Sequence, residues 1–484
     1  MSPNGSGTEE DDGRSIESLP LVQEVMTSGQ NNIIVSEIGY CDTEINKEEC
    51  GEGDISGTNT QTGKWMAEML PHAVPYHEAG WLKALIIYAR NGGGWAMQLE
   101  NSATLTKMGE ALDAFAETQV GWAVLPTSLP SGAKKGGLLK VACVTSTECI
   151  GASGYTNSAG VSVTLAEHWN GTEWVIQSTP NPSGAKSSGF AAVACPSAGE
   201  CFATGSYTSS EGVVGALAEH WNGKEWSIQS TPNPSGAKES HLGGGVSCTS
   251  STACTAVGQY VNSSGVKVPL AERWNGKEWS LQTPAAPSGA TESQLLQVAC
   301  ISSAVCISAG ESKNSSGVLV TLAERWNGSE WSIQPTPNPS GAKESILNGV
   351  SCTSSTECTA VGHYVNSSGV RVTLAERWNG TEWSIQSTPN PSGAKESVLR
   401  GALSCTSATE CTAAGNYTDS AGTEVTLVEF WNGKEWAIKT TPNPSGAKSS
   451  RLRGLSCTSS IACVGVGEYE NSLGVVEPLV EANF

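Results

Sequence analysis

From about Gly121 to Phe484 the hydrophobic pattern repeats: four short apolar runs with strand composition, each closed by turn residues. In one copy these are the run into a cysteine (Leu347 to Cys352), CTAVGHY, VTLAERW and EWSIQ. Four such runs in succession predict a four-stranded antiparallel meander. The third and fourth runs are joined through Trp-Asn-Gly, where Asn379 and Gly380 supply the positive φ of a tight hairpin, and the second and third through NSSG. The fourth run leaves through TPNPSGAK, whose prolines cannot donate to a ladder and so end the strand.

The first cysteine of the unit falls at Cys143, Cys195, Cys248, Cys300, Cys352, Cys405 and Cys457, a period of 52 or 53 residues. A period near fifty marks one supersecondary unit per copy. A lone sheet of this size cannot bury both faces, and radial stacking of such sheets around an axis solves the problem, so the expected fold is an all-β propeller. The last copy stops at Phe484, where its Trp-Asn-Gly hairpin and fourth strand would follow, whereas GWAVLPTSLPSGAK near Gly121 reads as a fourth strand without its first three. Trp122 precedes Cys143 by the same 21 residues that separate Trp174 from Cys195. The two partial copies therefore predict seven blades, closed by Gly121 to Thr127 pairing beside Leu479 to Phe484, which removes aggregation-prone edges.

The unit resembles the kelch-type propeller repeat at Val361, Gly362 and Tyr364, at Glu376 and Trp378, at Trp383, and at Pro389 and Pro391. The double glycine usual in kelch repeats is missing, so the resemblance implies topology rather than descent.

Before Gly121 the pattern changes. Residues 1–15 are polar and acidic and read as disordered; residues 16–118 carry two continuous apolar runs, NNIIVSEIGY and WLKALIIYAR, alternating with helical segments. Continuous apolar strands between helices predict part of a parallel α/β sheet. Ser36, Glu37 and Gly39, followed by Tyr88 and by Gly94 and Trp95, resemble the last quarter of a retaining, cellulase-like TIM-barrel glycoside hydrolase, over about Ser15 to Glu117. That resemblance implies Glu37 as the nucleophile at the end of strand seven, with Tyr88 and Trp95 in the region that stacks on sugar. Retaining hydrolysis needs a second carboxyl about 5 Å away. In the family it follows strand four, and strands one to six are not in this sequence, so no catalysis is expected of this chain alone. The expected architecture is thus a seven-bladed propeller over residues 119–484 preceded by a partial barrel fragment.

Asp and Glu number 47 against 27 Lys and Arg, a net charge of -20, which argues against nucleic acid or an anionic membrane as partner. No apolar run approaches the roughly 20 residues of a membrane span. Fourteen of the 16 cysteines form Cys-x5-Cys pairs across the turn between the first two strands: Cys143–Cys149, Cys195–Cys201, Cys248–Cys254, Cys300–Cys306, Cys352–Cys358, Cys405–Cys411 and Cys457–Cys463. A hairpin holds such partners within disulfide reach. Zinc is the rival, but its sites favour shorter spacings and no histidine recurs with the pairs, so no metal or cofactor is expected. Cys41–Cys50 is expected to tie the loop after Glu37. Disulfides in this number predict an extracellular or cell-surface protein, although Met1 to Pro20 contains no apolar signal core.

Comparison of the copies separates fixed from varying positions. A glutamate recurs at Glu167, Glu219, Glu272, Glu324, Glu376, Glu429 and Glu481, expected as a hydrogen-bonded contact within the blades rather than a ligand ring. The hairpin tryptophans are expected to pack between blades. His168 and His220, which alternate with Arg273, Arg325, Arg377 and Phe430, read as a surface position. Propellers bind at the mouth of the channel, and there the residues opening the first strand differ between copies: Lys140, Gln297, Asn348, Arg400 and Arg453 form a candidate binding rim. The function expected is that of a carbohydrate-associated binding or scaffolding propeller whose partner is a polysaccharide or cell-surface glycan. The alternatives are an accessory propeller of a truncated glycoside hydrolase and an adhesin that binds proteins.

Overall fold

The structure is a computed structural model and describes Arg90–Asn91, Gly94–Trp95 and 121–483. The chain divides into a unit over Met1–Val120 and a unit over Gly121–Phe484. In the first unit the described residues are two short strands, Arg90–Asn91 and Gly94–Trp95, paired antiparallel. Glu37, Tyr88, Cys41 and Cys50 lie outside the described residues.

The second unit is all-β, with no helix among the described residues. Each copy of the repeat folds as a four-stranded antiparallel blade of a β-propeller. In the copy spanning 344–386 the strands are Glu344–Ser354, Glu357–Val365, Arg371–Trp378 and Trp383–Gln386, paired in that order. The strand ending in the first cysteine begins at Glu344 rather than Leu347, because Glu344 and Ser345 still pair with Val365 and Tyr364. The final copy has strands Ser449–Ser459, Ala462–Glu470 and Val476–Asn483, and its outer position is taken by Ala123–Leu125, which pairs antiparallel with 480–482.

The turns follow the local chemistry anticipated from sequence. Gly380 has φ of +94°, and the Asn379 side-chain oxygen accepts from the backbone N–H groups of Thr381 and Glu382, both at 2.9 Å. The exit loop is fastened to the third strand by Thr373 Oγ1 donating to Thr388 Oγ1 at 2.9 Å and by Thr373 N–H donating to Asn390 Oδ1 at 3.3 Å.

Blade stacking buries both faces. Leu347, Val350, Cys358, Leu374, Trp378 and Trp383 form one cluster with Ile307 and Ala309 of the preceding blade. Each hairpin brings two tryptophans together at 5.8–5.9 Å between ring centroids, and Trp378 and Trp383 are both buried, so packing is their role. The position held by His168 and His220 is half-buried rather than superficial. His168 faces Glu148 at 2.7 Å, His220 pairs with Glu200 and stacks on Phe202, and Arg377 lies over Trp431 of the next blade at 5.0 Å. Arg377 and His220, whose ring lies 6.4 Å from that of Trp274, thus reach the following blade, whereas the Glu148 partner of His168 lies in its own blade.

All fourteen cysteines of the unit are paired, with Cα atoms 3.9–4.1 Å apart, and every disulfide but Cys195–Cys201 links residues directly opposed in the register. The second cysteine of each pair is buried against the neighbouring blade. Thr255 Oγ1 lies 3.7 Å from Cys306 Sγ, and Thr359 Oγ1 lies 3.6 Å from Cys411 Sγ. Where the residue before the first cysteine is serine, it fastens the next blade: Ser247, Ser351, Ser404 and Ser456 accept through Oγ from the N–H groups of Cys300, Cys405, Cys457 and Cys143.

Candidate ligand site at the channel mouth

The innermost strand is not regular. Opposite Leu347 and Gly349 the register skips, leaving Asn348 as a bulge; Arg453 is skipped likewise, and so are Arg400 and Gly401. In the fourth copy Leu296 is skipped, immediately before Gln297. A bulge bends the strand and re-aims side chains. Here it brings the strand's own carbonyl against its partner, where only glycine fits. A Cβ on Gly362 would lie 2.0 Å from the Ile346 carbonyl oxygen, and one on Gly415 would lie 1.9 Å from that of Val398. Glycine holds this place at Gly205, Gly258, Gly310, Gly362, Gly415 and Gly467, whereas the first copy has Ser153. In that copy the inner strand is split into Lys135–Gly136 and Lys140–Thr145, with Leu138 N–H instead reaching the Gly467 carbonyl at 2.9 Å.

Four of the five rim residues predicted from sequence therefore stand in or beside a bulge, and the fifth, Lys140, opens the split strand. Around the axis they meet as a polar network. Asn348 Nδ2 donates to the Leu399 carbonyl at 2.8 Å and lies 3.1 Å from His363 Nδ1. Burial, with Arg371 and Arg400 nearby, draws His363 down to about 4, so the ring is neutral. Arg400 pairs with Asn416 and reaches Glu424 at 3.4 Å. Arg451 bridges Glu424 at 2.5 Å and Glu468 at 3.6 Å, and Arg453 holds Glu468 through Nε and Nη2 at 3.1 and 2.7 Å. Sequence reasoning missed Arg451 and His363. Their signal was present, since Arg451 precedes Arg453 by two residues on the same strand and His363 is the register partner of Ile346, beside the bulge.

Gln297 and Lys140 meet at a cavity instead. They line one cavity of about 50 Å³ together with Val141, Val193, Val246, Gly401 and Leu455. Lys140 Nζ donates to the Gly401 carbonyl at a long 3.4 Å. Desolvation, with the Arg453 charge adding to it, draws Lys140 down to about 8.

The recurring glutamates are elsewhere, and all seven are fully buried. Thr127 Oγ1 donates to Glu167 at 2.7 Å and Ala285 N–H donates to Glu324 at 2.8 Å. Glu219, Glu272 and Glu376 have neither carboxyl oxygen bonded among the described residues, so the expectation of a general hydrogen-bonded contact is corrected. Burial pushes Glu219, Glu272 and Glu376 up to about 8 and Glu167 and Glu324 to about 7. Burial therefore favours the neutral acid at these positions, most in Glu219, Glu272 and Glu376. Among the described residues no group of three or more His, Cys, Asp or Glu is placed to hold a metal ion.

Fold and site together define a disulfide-pinned β-propeller with a polar channel mouth. No protein-family model matches the chain, and no curated protein matches it. Among solved structures it is similar to a Hadza microbial sialidase, at 12% identity over 73% of this chain and 66% of that one, with a TM-score of 0.39. It is also similar to a Trypanosoma rangeli sialidase, at 8% identity over 75% of this chain and 58% of that one, TM-score 0.41. The SapL1 lectin, solved with alpha methyl fucoside, is 10% identical over 64% of this chain and 97% of that one, TM-score 0.38. The chain spans less than two thirds of the length of the two sialidases.

Proposed function

We propose that the protein is an exported binding module: a closed seven-bladed β-propeller that takes a carbohydrate ligand at the channel mouth. Closure is supported by the pairing of Ala123–Leu125 with 480–482, by Cys143 N–H bonding to Ser456 Oγ at 3.0 Å, and by the cluster joining Leu138 and Val141 to Val466 and Val480. Export is supported by the seven disulfides. No described helix is long and apolar enough to cross a membrane.

The observation that carries the ligand reading is that near-identical copies diverge where their inner strands bulge. Asn348 and Arg453 hold the place four before the first cysteine, where the other copies have Leu139, Ala191, Gly244, Leu296 and Gly401, and Lys140, Gln297 and Arg400 stand one residue to either side of it, while the cysteines, glutamates and tryptophans around them recur. Amides and guanidinium groups in a half-buried ring suit the hydroxyl groups of a polyol, whose hydrogen bonds they can match in pairs. The kelch-like topology of the blades, and the descent of residues 16–118 from a retaining hydrolase with Glu37 as nucleophile and Tyr88 and Trp95 beside it, belong to the same proposal, and the second points to polysaccharide as the neighbour.

The test is retention of the full chain on a panel of immobilised polysaccharides, with Asn348→Ala/Arg453→Ala as the comparison. Retention on at least one polymer that falls about tenfold or more in the double variant is expected. Equal retention of the two proteins, or capture by proteins alone, overturns the reading in favour of an adhesin or an inert scaffold.

A further inference from the structure

The mouth network is unbalanced in charge. Arg400, Arg451, Arg453 and Lys140 stand together, and the carboxylates among them are Glu424 and Glu468. Both carboxylates are already engaged: Glu424 by Arg400 and Arg451, and Glu468 by Arg451 and Arg453. Lys140, half-buried beside this cluster, makes one side-chain hydrogen bond among the described residues, to the Gly401 carbonyl at 3.4 Å, at the outer limit for such a bond. An ammonium withdrawn from water without a counter-charge is costly, and an arriving anion would relieve that cost.

The cavity that Lys140 lines is shaped for a small group. Its walls include Gln297, whose side-chain oxygen is turned back to accept from Val298 N–H at 3.1 Å, leaving the Nε2 hydrogens as the donors on that side. Gly245 makes room for this: a Cβ there would lie 1.9 Å from Gln297 Oε1. The floor is aliphatic, formed by residues two before the first cysteine of each copy, Val141, Val193, Val246, Leu403 and Leu455 among them. None of the lining residues is acidic. At about 50 Å³ the cavity has room for roughly three or four water-sized groups. A sugar ring does not fit within it, but a carboxylate with its attached carbon does.

We propose that this cavity is an anion site that receives a carboxylate group entering from the channel mouth, held by Lys140 Nζ and Gln297 Nε2 in the positive field of Arg453 and Arg400. The proposal rests on the mouth being the ligand face, and it makes the preferred ligand an acidic one. The aliphatic floor keeps the group dry, which strengthens the charge-assisted bond to Lys140. The carboxylate can belong to a free small acid or to an acidic residue of a saccharide chain; both present the same chemistry to the cavity.

Ligand-detected NMR on the full chain, in chloride-free buffer at neutral pH, compares acetate with acetamide, which has the same shape and no charge. Acetate should bind saturably and acetamide at least about tenfold more weakly. Lys140→Met should weaken acetate by about tenfold or more, and Gln297→Leu by less. Gln297→Leu removes no charge and serves as a second variant should Lys140→Met fold poorly. A monomeric glucuronate competing with acetate in the wild type indicates a saccharide source, and acetate binding that glucuronate leaves untouched indicates a free small acid. Equal binding of acetate and acetamide, or undiminished acetate binding by a folded Lys140→Met protein, overturns the proposal. Polysaccharide retention without acetate selectivity sinks the anion site alone, whereas acetate selectivity without polysaccharide retention sinks the carbohydrate reading alone.

Discussion

The space between blades and the wall of the channel are built from the same strands, yet the copies treat them in opposite ways. Between blades, every copy repeats a disulfide, a buried glutamate and large apolar groups; along the channel, the place four before the first cysteine is leucine, alanine, glycine, asparagine or arginine according to the copy. A position is held constant by stacking when its neighbour is another copy of itself, and it is released when its neighbour is the open axis. On the proposed function, the difference teaches that stability and recognition are separable, the first resident in the interfaces and the second at the mouth.

Raising the pH breaks the comparison on the side of the interfaces, and it should have the largest effect. The glutamate carboxyls are raised from 4.5 to about 8 in Glu219, Glu272, Glu376, Glu429 and Glu481. Because the folded-state value lies above the unfolded one, their contribution is full below about pH 4.5 and is lost as pH rises through about 8. One such carboxyl accounts for at most about 5 kcal/mol, and several act together. Urea midpoints should therefore fall from pH 5 to pH 9, and Glu376→Gln should make the fall shallower. A midpoint that rises over this range would show that the carboxyls are ionised and partnered.

Gly362→Ala strikes where the two regions meet. The added methyl meets the Ile346 carbonyl at 2.0 Å, so the inner strand must shift, at a cost of about 1–3 kcal/mol read from urea unfolding. An unchanged midpoint would mean that the bulge is not held by glycine. The first copy already tolerates Ser153, and there the inner strand is split, which is the rearrangement expected of the variant.

Ser351→Ala removes the bond to Cys405 N–H at 3.1 Å and should cost about 1 kcal/mol. The copies with Ala142, Ala194 and Ala299 at this place lack that bond, so no larger loss is expected. On the channel side, Asn348→Ala removes the bond to the Leu399 carbonyl and should cost no more than about 1 kcal/mol while reducing ligand retention. A large loss of stability with Asn348→Ala would merge the two regions that the account keeps apart.

Much of this fold was legible in the sequence because the repeat supplies its own comparison. The spacing of Cys352 and Cys358, the Asn379–Gly380 hairpin, and the match of Trp122 to Trp174 gave the strands, their order and the partner of the final strand. The bulge was not legible. Asn348 and Arg453 sit in runs that read as ordinary strand, and the reason for glycine at 362 appears only when the Ile346 carbonyl is seen against it. The glutamates misled in part, because a carboxyl on a strand suggests a hydrogen-bonded partner, and burial instead favours the neutral acid. The rim was found from divergence among copies, but Lys140 and Gln297 share a cavity only through their places in different blades, a relation that spacing along the chain does not encode.

The account depends on the ring closing through residues distant in sequence. Ala123 and Ala482 are register partners across that closure. Intact mass of the Ala123→Cys/Ala482→Cys protein under non-reducing conditions, with thiol counting, tests it directly. The account predicts a monomer with one additional disulfide and no added free thiol. Two reactive thiols, or disulfide-linked dimers, would contradict it.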